Sequence, residues 1–284
     1  MGLSYEEFLG DGDNFAPADS IVALDGADLG PCGLKAGLYA PTEPVRAVLI
    51  FFHGGGANRV GYGGLADNIR RLAPVAVVTP DLRGHGESAG QRGFAKTPET
   101  VWADIDRTVA WARATWPATP LFIGGHSSGG GLVVNWASRR ADRAADLTGI
   151  VLLAPMLTGG RSDFATARSW VFLAYLFSGR RLLAKAQAVR FSYPKAMAAE
   201  RDLVVGYSPG MSLAVTPRRA GPAIESIATP MLILAADDDE LFATESLRSV
   251  AGPARFEAVS GTHLSCLIPG AWRAAAFIRE KASL

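Results

Sequence analysis

The stretch that most constrains the fold of this chain is Leu121-Phe-Ile-Gly-Gly-His-Ser-Ser-Gly-Gly-Gly-Leu-Val-Val134. A short apolar run ends in glycines, and a helical pattern begins at Leu132, Val133, Val134 and Trp136. Ser127 sits between Gly125 and Gly129. This reads as a strand, a tight turn and a helix, with a serine at the apex. The spacing has a steric cause: the serine must take a strained backbone conformation, and side chains at either flank would collide with the strand or the helix. The helix N-terminus also offers unpaired N–H groups, where negative charge is favoured. Glycine-rich turns of this kind also cradle phosphates, so Ser127 needs partners elsewhere before it signifies chemistry.

The rest of the chain repeats the strand-then-helix rhythm. Residues 45–52, 75–79, 148–154, 231–235 and 254–259 are short apolar runs, as strands buried on both faces read. Helical spacing fills 60–72, 98–116, 241–250 and 268–284, with Pro98 suited to a first turn. Residues 20–25 and 33–40 read as two strands joined by a turn over 26–33, forming an antiparallel edge. This order predicts an α/β fold with a mostly parallel sheet flanked by helices. The rhythm breaks over residues 155–227, which show helix-like patches and no clear buried strand. The expected organisation is a core of residues 1–154 and 228–284. A helical cap, 155–227, is inserted after the sixth strand, over the strand ends where ligands of open α/β sheets bind.

The 284 residues are 49% hydrophobic and 19% charged, with a net charge of +1. That balance leaves no electrostatic footprint for nucleic acid. Cys32 and Cys266 lack metal-ligand spacing, and the serine chemistry considered below needs no metal or cofactor. The N-terminal residues are acidic where a signal peptide would be basic, and no run approaches the roughly 18 apolar residues of a membrane span. Both observations point to a cytoplasmic protein.

A serine hydroxyl becomes a nucleophile when a base takes its proton and an acid orients that base. Of the four histidines, His126 adjoins Ser127 and should point away, while His53 and His85 sit in glycine-rich loops that call for turn-stabilising bonds. His263 follows the last strand, at the sheet edge of Ser127, and is the candidate base. Asp237, Asp238 and Asp239 all end the strand at 231–235, and residue physics does not choose among them. The order Ser, Asp, His differs from the chymotrypsin and subtilisin orders. For an oxyanion, the N–H of Ser128 is one donor, and His53-Gly-Gly-Gly56 supplies the other, with Gly55 the choice and Gly56 the alternative.

Together, His53-Gly-Gly-Gly56, Gly125-His-Ser-Ser-Gly129, the aspartate cluster and Gly261-Thr-His263 resemble an α/β-hydrolase. Asp81-Leu-Arg-Gly-His-Gly-Glu-Ser88 narrows the resemblance to the monoacylglycerol lipase, lysophospholipase and serine-aminopeptidase-like branch. The resemblance implies that the acid lies nine residues after the proline opening its strand, which from Pro230 is Asp239. The chain departs from the branch at Ala236, where glycine is common. The implied activity is a serine hydrolase of carboxylic esters, short to medium acyl or monoacylglycerol-like, forming an acyl-enzyme on Ser127. An aminopeptidase or amidase would use the same triad, and a low-turnover small-molecule receptor would reuse the pocket. The aromatic-rich insertion suggests Met156, Phe164, Trp170, Phe172 and Tyr175 as pocket lining. Its apolar helix runs into Arg180, Arg181, Lys185 and Arg190. That arrangement suits either weak contact with a lipid surface or a cap with a solvated charged face. Oligomeric state is not legible in the sequence.

Overall fold

Six-residue runs without a charged side chain cannot face water on either side, and they form the middle of the structure. A computed structural model describes residues 15–25, 33–159 and 165–284. Residues 1–8, Cys32, Phe164 and most of the expected turn over 26–33 lie outside the described residues. Strands β1 (Ser20–Ala23) and β2 (Lys35–Tyr39) precede β3 (Ala47–Phe52). A 3-10 turn (Arg59–Tyr62) leads into helix α1 (Gly63–Leu72), followed by β4 (Val75–Pro80) and α2 (Pro98–Thr115). Then come β5 (Leu121–His126), α3 (Ser128–Arg139), α4 (Ala141–Ala145) and β6 (Gly149–Leu153).

The sheet has eight strands in the order β1-β2-β4-β3-β5-β6-β10-β11, closing with β10 (Met231–Ala236), α9 (Thr244–Val250), β11 (Arg255–Val259) and α10 (Leu267–Ala282). The β1–β2 and β2–β4 pairs are antiparallel, and the remaining pairs are parallel. Alternation along β3 sends Val48, Ile50 and Phe52 to one core layer, and Ala47, Leu49 and Phe51 to the other. Helices α2 and α3 cover the first layer; α1 and α10 pack together over the second.

Between β6 and β10 the chain is not wholly helical, as the sequence pattern suggested. It contains a three-stranded antiparallel sheet of β7 (Ala165–Ala167), β8 (Val189–Phe191) and β9 (Gly206–Tyr207). Helices α5 (Ser169–Phe177), α6 (Lys195–Glu200), α7 (Pro209–Val215) and α8 (Ala220–Glu225) accompany it. Strands of two or three residues are too short for alternation to register, which is why they read as irregular.

The Gly84–Ser88 loop is wrapped around a buried carboxylate at the end of β4. Asp81 accepts the Arg59 N–H at 2.7 Å and the Glu87 N–H at 3.0 Å, and it pairs with the Arg59 guanidinium. Ser88 closes the turn by donating to the Asp81 carbonyl at 2.7 Å. Both charged side chains of the pair are buried, so removing Asp81 leaves the Arg59 guanidinium with the exposed Glu87 as its remaining partner and two N–H groups without their acceptor. Asp81→Ala is expected to lower the unfolding free energy by about 3–5 kcal/mol in urea titration; a loss under about 1 kcal/mol would refute this account.

Candidate functional site

Ser127 lies between β5 and α3 with φ 53° and ψ −122°, a conformation that L-residues rarely hold. The flanking glycines make it possible. A Cβ on Gly129 would lie 2.4 Å from the Phe52 carbonyl oxygen, and one on Gly125 would lie 2.5 Å from the Gly129 backbone. The turn is pinned by hydrogen bonds from the Ser127 N–H to the Leu153 carbonyl, 3.1 Å, and from the Met156 N–H to the Ser127 carbonyl, 2.8 Å. Ser128 opens α3, so its N–H belongs to the first helical turn, which has no intrahelical acceptor.

His263 is buried beyond β11, and its Nδ1 lies 2.9 Å from Asp239 Oδ2. The other carboxylate oxygen accepts the N–H groups of Leu241 and Phe242 at 2.8 and 2.9 Å. Burial alone would raise the Asp239 carboxyl, but the His263 bond and these two N–H groups outweigh it and hold the group below its ordinary value. Of the alternatives, Asp237 ties down the loop by accepting the Gly261 N–H at 2.9 Å, and the Asp238 N–H donates to the Gly261 carbonyl at 3.1 Å. Ala236 ends β10 outside the left-handed region, so glycine is not required there. Glu240 accepts the His263 N–H at 2.9 Å.

His126 does point away from the serine. Tyr62 accepts the Gly54 N–H at 2.7 Å, so its hydroxyl proton is directed at His126 Nδ1, 2.9 Å away. His126 Nε2–H then donates to the His263 carbonyl at 2.8 Å. This chain requires a neutral ring. Complete burial, with His263 nearby, pushes its pKa down to about 3. One hydroxyl and one imidazole thus join the glycine loop after β3 to the histidine loop after β11.

The glycine loop is held on its other flank as well. Gly56 has φ 71°, and a Cβ there would lie 2.3 Å from the Val204 carbonyl oxygen. Its N–H donates to the Tyr207 hydroxyl at 2.9 Å, and Tyr193 donates to the Gly55 carbonyl at 2.5 Å. His53 holds the peptide that carries the Gly55 N–H. Its Nδ1 bonds the Gly54 carbonyl at 2.9 Å, and its Nε2 accepts the Leu82 N–H at 3.1 Å. Gly54 and Gly56 therefore donate to tyrosines. Among the described residues the Gly55 N–H makes no bond, which favours Gly55 over Gly56 as a donor to a ligand.

Two cavities meet at Ser127 and Gly55. One, of about 490 Å³, is mainly apolar and lined by Ser128, Met156, Phe172, Phe191 and Phe242 among others. The other, about 30 Å³, is lined by Tyr62, His126, Tyr193, Met197, His263 and Leu264. Met156 and Phe172 are among the residues that line the large cavity. Trp170 and Tyr175 are not: Trp170 is 61% exposed, and buried Tyr175 donates to the Lys96 carbonyl at 2.9 Å, anchoring α5 to the core. The reason is helical geometry, since Val171 and Tyr175 share the inward face and Trp170 the outward one. A wider cleft of about 650 Å³, lined by Arg46, Arg70, Arg71 and Arg279, lies at the amino ends of β3 and β4, away from the strand ends that bind ligands. Among the described residues no three His, Cys, Asp or Glu side chains converge as a metal cage would, and no helix is long and apolar enough to cross a membrane.

A profile of the family described as serine aminopeptidase, S33, matches residues 43–260. The chain belongs to the serine aminopeptidase S33 family. Human monoglyceride lipase is 29% identical over 128 residues, 45% of this chain and 41% of the relative. Bovine protein phosphatase methylesterase 1 is 32% identical over 91 residues, 32% of this chain and 24% of the relative. The chain spans less than half the length of the curated relatives it matches. The crystal structure of Paleococcus ferrophilus monoacylglycerol lipase superposes with a TM-score of 0.67 at 23% identity, covering 88% of this chain and 98% of that one. The fold is that of an α/β-hydrolase.

Within this family member, the residues that sequence reasoning missed are the hydroxyls Tyr62, Tyr193 and Tyr207, the carboxylate Glu240, and Met197. None lies at a fixed spacing from the serine or the glycine run, so no local pattern signals them. His53, His85 and His126 are all buried, and burial lowers the pKa of each. Between pH 6.5 and about 3 the unfolded chain protonates His126 and the folded chain does not, so stability falls as pH falls through that window. The contribution of His126 is roughly 3 kcal/mol by pH 4. His126→Gln should flatten the pH dependence of unfolding free energy by nearly one proton, about 1.4 kcal/mol per pH unit; parallel curves for the two proteins would show that His126 is not held neutral.

Proposed function

We propose that the protein is a serine hydrolase of carboxylic esters that works through an acyl-enzyme on Ser127. The observation that carries this reading is the buried His263–Asp239 pair, 2.9 Å apart, whose His263 lines one cavity with Ser127 and Gly55. With Nδ1–H donated to Asp239, the neutral imidazole keeps Nε2 as its basic nitrogen. Ser127 Oγ attacks the ester carbonyl as Nε2 takes its proton. The N–H groups of Gly55 and Ser128 hold the oxyanion, each contributing about 3 kcal/mol. Collapse breaks the acyl C–O bond, and the departing alkoxide takes the proton back from His263. Water repeats the sequence on the acyl-enzyme and releases the acid.

The large apolar cavity suits the acyl chain, and no cofactor enters these steps. Although the family is described as aminopeptidase, neither cavity at Ser127 is lined by a carboxylate among the described residues. Among those residues a substrate ammonium finds no counter-charge, which favours esters. The curated relatives are named for a glyceride and for a methyl ester, so their names differ in the alcohol that leaves. Ser127→Ala should lower turnover of a short nitrophenyl ester by at least about a thousandfold with the circular dichroism spectrum intact. Retained turnover would refute the mechanism.

We further propose weak docking of the cap on lipid. Trp170, Leu173 and Phe177 line the outward face of α5, with Phe177 88% exposed and Leu182 beyond it 64% exposed. Arg181 and Lys185 follow within the same turn of chain. Each apolar side chain offers about 1.5–3 kcal/mol on insertion and each cation about 1 kcal/mol near an anionic surface. The protein should co-sediment with vesicles of phosphatidylcholine and phosphatidylglycerol, and Phe177→Asp with Leu182→Asp should weaken this by at least about tenfold. Absence of co-sedimentation in the unsubstituted protein would count against docking.

A further inference from the structure

Resting on the ester-hydrolase reading above, we infer that the leaving-group side of this site accepts only compact alcohols without further hydroxyls, methanol and ethanol above all. The departing oxygen must be protonated by His263, so the alcohol has to lie in the space that His263 lines. That space is the chamber of about 30 Å³, whereas His263 is not among the residues lining the 490 Å³ cavity. The difference assigns the two halves of the ester: acyl chain to the large cavity, alcohol to the small one. That space leaves room for on the order of one or two waters before the site opens to solvent. A glyceryl group, with three carbons and three oxygens, is several times larger.

The chemistry of the chamber wall acts in the same direction as its size. Tyr62 accepts from Gly54 and directs its proton at His126, whose other nitrogen donates to the His263 carbonyl. The Tyr193 hydroxyl proton is directed at the Gly55 carbonyl. These two hydroxyl hydrogens are thus committed to the protein, and the Gly55 N–H and Ser127 hydroxyl that also face the chamber are used by the reaction itself. The remaining wall is apolar, from Ala57, Met197 and Leu264. Hydroxyls of a polyol entering there would give up water without gaining donors, an unfavourable exchange that a methyl group does not face. Met197 lines the chamber. It is 3% exposed and packs with Leu203 against Tyr193 and Leu264.

The test compares kcat/KM for methyl, ethyl, propyl and 1-glyceryl octanoate, each below its aggregation threshold, with fluorophosphonate labelling of Ser127 as the measure of competent enzyme. The methyl ester is expected to exceed the glyceryl ester by at least about tenfold. Met197→Ala and, separately, Leu264→Ala should shrink that ratio by at least about fivefold through better use of the glyceryl ester. The readout is a ratio within one preparation, so partial unfolding of a variant does not move it. Equal use of methyl and glyceryl esters by the labelled, unsubstituted protein would overturn the inference while leaving the hydrolase reading standing. So would a ratio that neither variant changes. A protein that neither labels nor hydrolyses any of these esters would overturn the hydrolase reading, and this inference with it.

Discussion

The arrangement depends on one backbone contact. Gly129, in the first turn of α3, lies against the carbonyls of Phe52 and His53, so close that a methyl group there would sit 2.4 and 2.6 Å from their oxygens. That contact joins the serine turn to the loop after β3. It sets the separation between the candidate nucleophile and the Gly55 N–H without any side chain intervening. The strained backbone of Ser127 is tolerated because the turn is held on both sides, by Leu153 in the neighbouring strand and by Met156 just beyond it. Stability in the sheet is thereby converted into precision at the sheet edge.

Around this contact, polar groups are allotted so that few remain uncommitted. Three successive glycines present three N–H groups, and tyrosines from two different parts of the chain accept the first and the third. Tyr62 belongs to the core, but Tyr207 and Tyr193 come from the inserted segment, as does Val204, whose N–H donates to the Gly56 carbonyl at 2.8 Å. The insertion is therefore part of the glycine loop's support as well as a roof over it. A buried hydrogen bond of this kind contributes only about 1 kcal/mol net, but an unsatisfied partner costs more, so displacement of the insertion would loosen the loop.

How much of this was legible follows from which signals are local. The sheet was legible because runs such as 47–52 and 231–236 carry their burial in their composition, and the serine turn because Gly125 and Gly129 are dictated by contacts within one strand–turn–helix unit. His263 could be singled out by elimination among four histidines. Asp239 could not be derived from the residues alone, since three adjacent aspartates share one turn and only their hydrogen bonds separate them. The pocket assignments divided along helix α5: Phe172 faces the cavity, Trp170 faces outward and Tyr175 anchors the helix. A nearly all-apolar helix hides which side is which. The tyrosines were invisible because their roles depend on meetings between segments as distant as Gly56 and Tyr207.

The same physics explains why the two sides of the serine are so unequal. The large cavity is roofed by the insertion, through Phe172 and Phe191, and floored by residues around β6 and α9, such as Met156 and Phe242. Irregular chain and short strands can be spaced apart there without exposing the sheet. The small chamber, by contrast, is enclosed by groups that cannot move without disturbing the reaction centre. These are the Tyr62–His126 pair, which reaches from the glycine loop to the carbonyl of His263, and Tyr193 on the Gly55 carbonyl. Enlarging the chamber from the core side would break the positioning of both oxyanion donor and base. The apolar residues of its wall, Met197 on the cap and Leu264 beside the base, can change size without breaking those bonds. Selectivity for the alcohol therefore rests in part on a cap residue that carries none of the motifs by which the hydrolase was read.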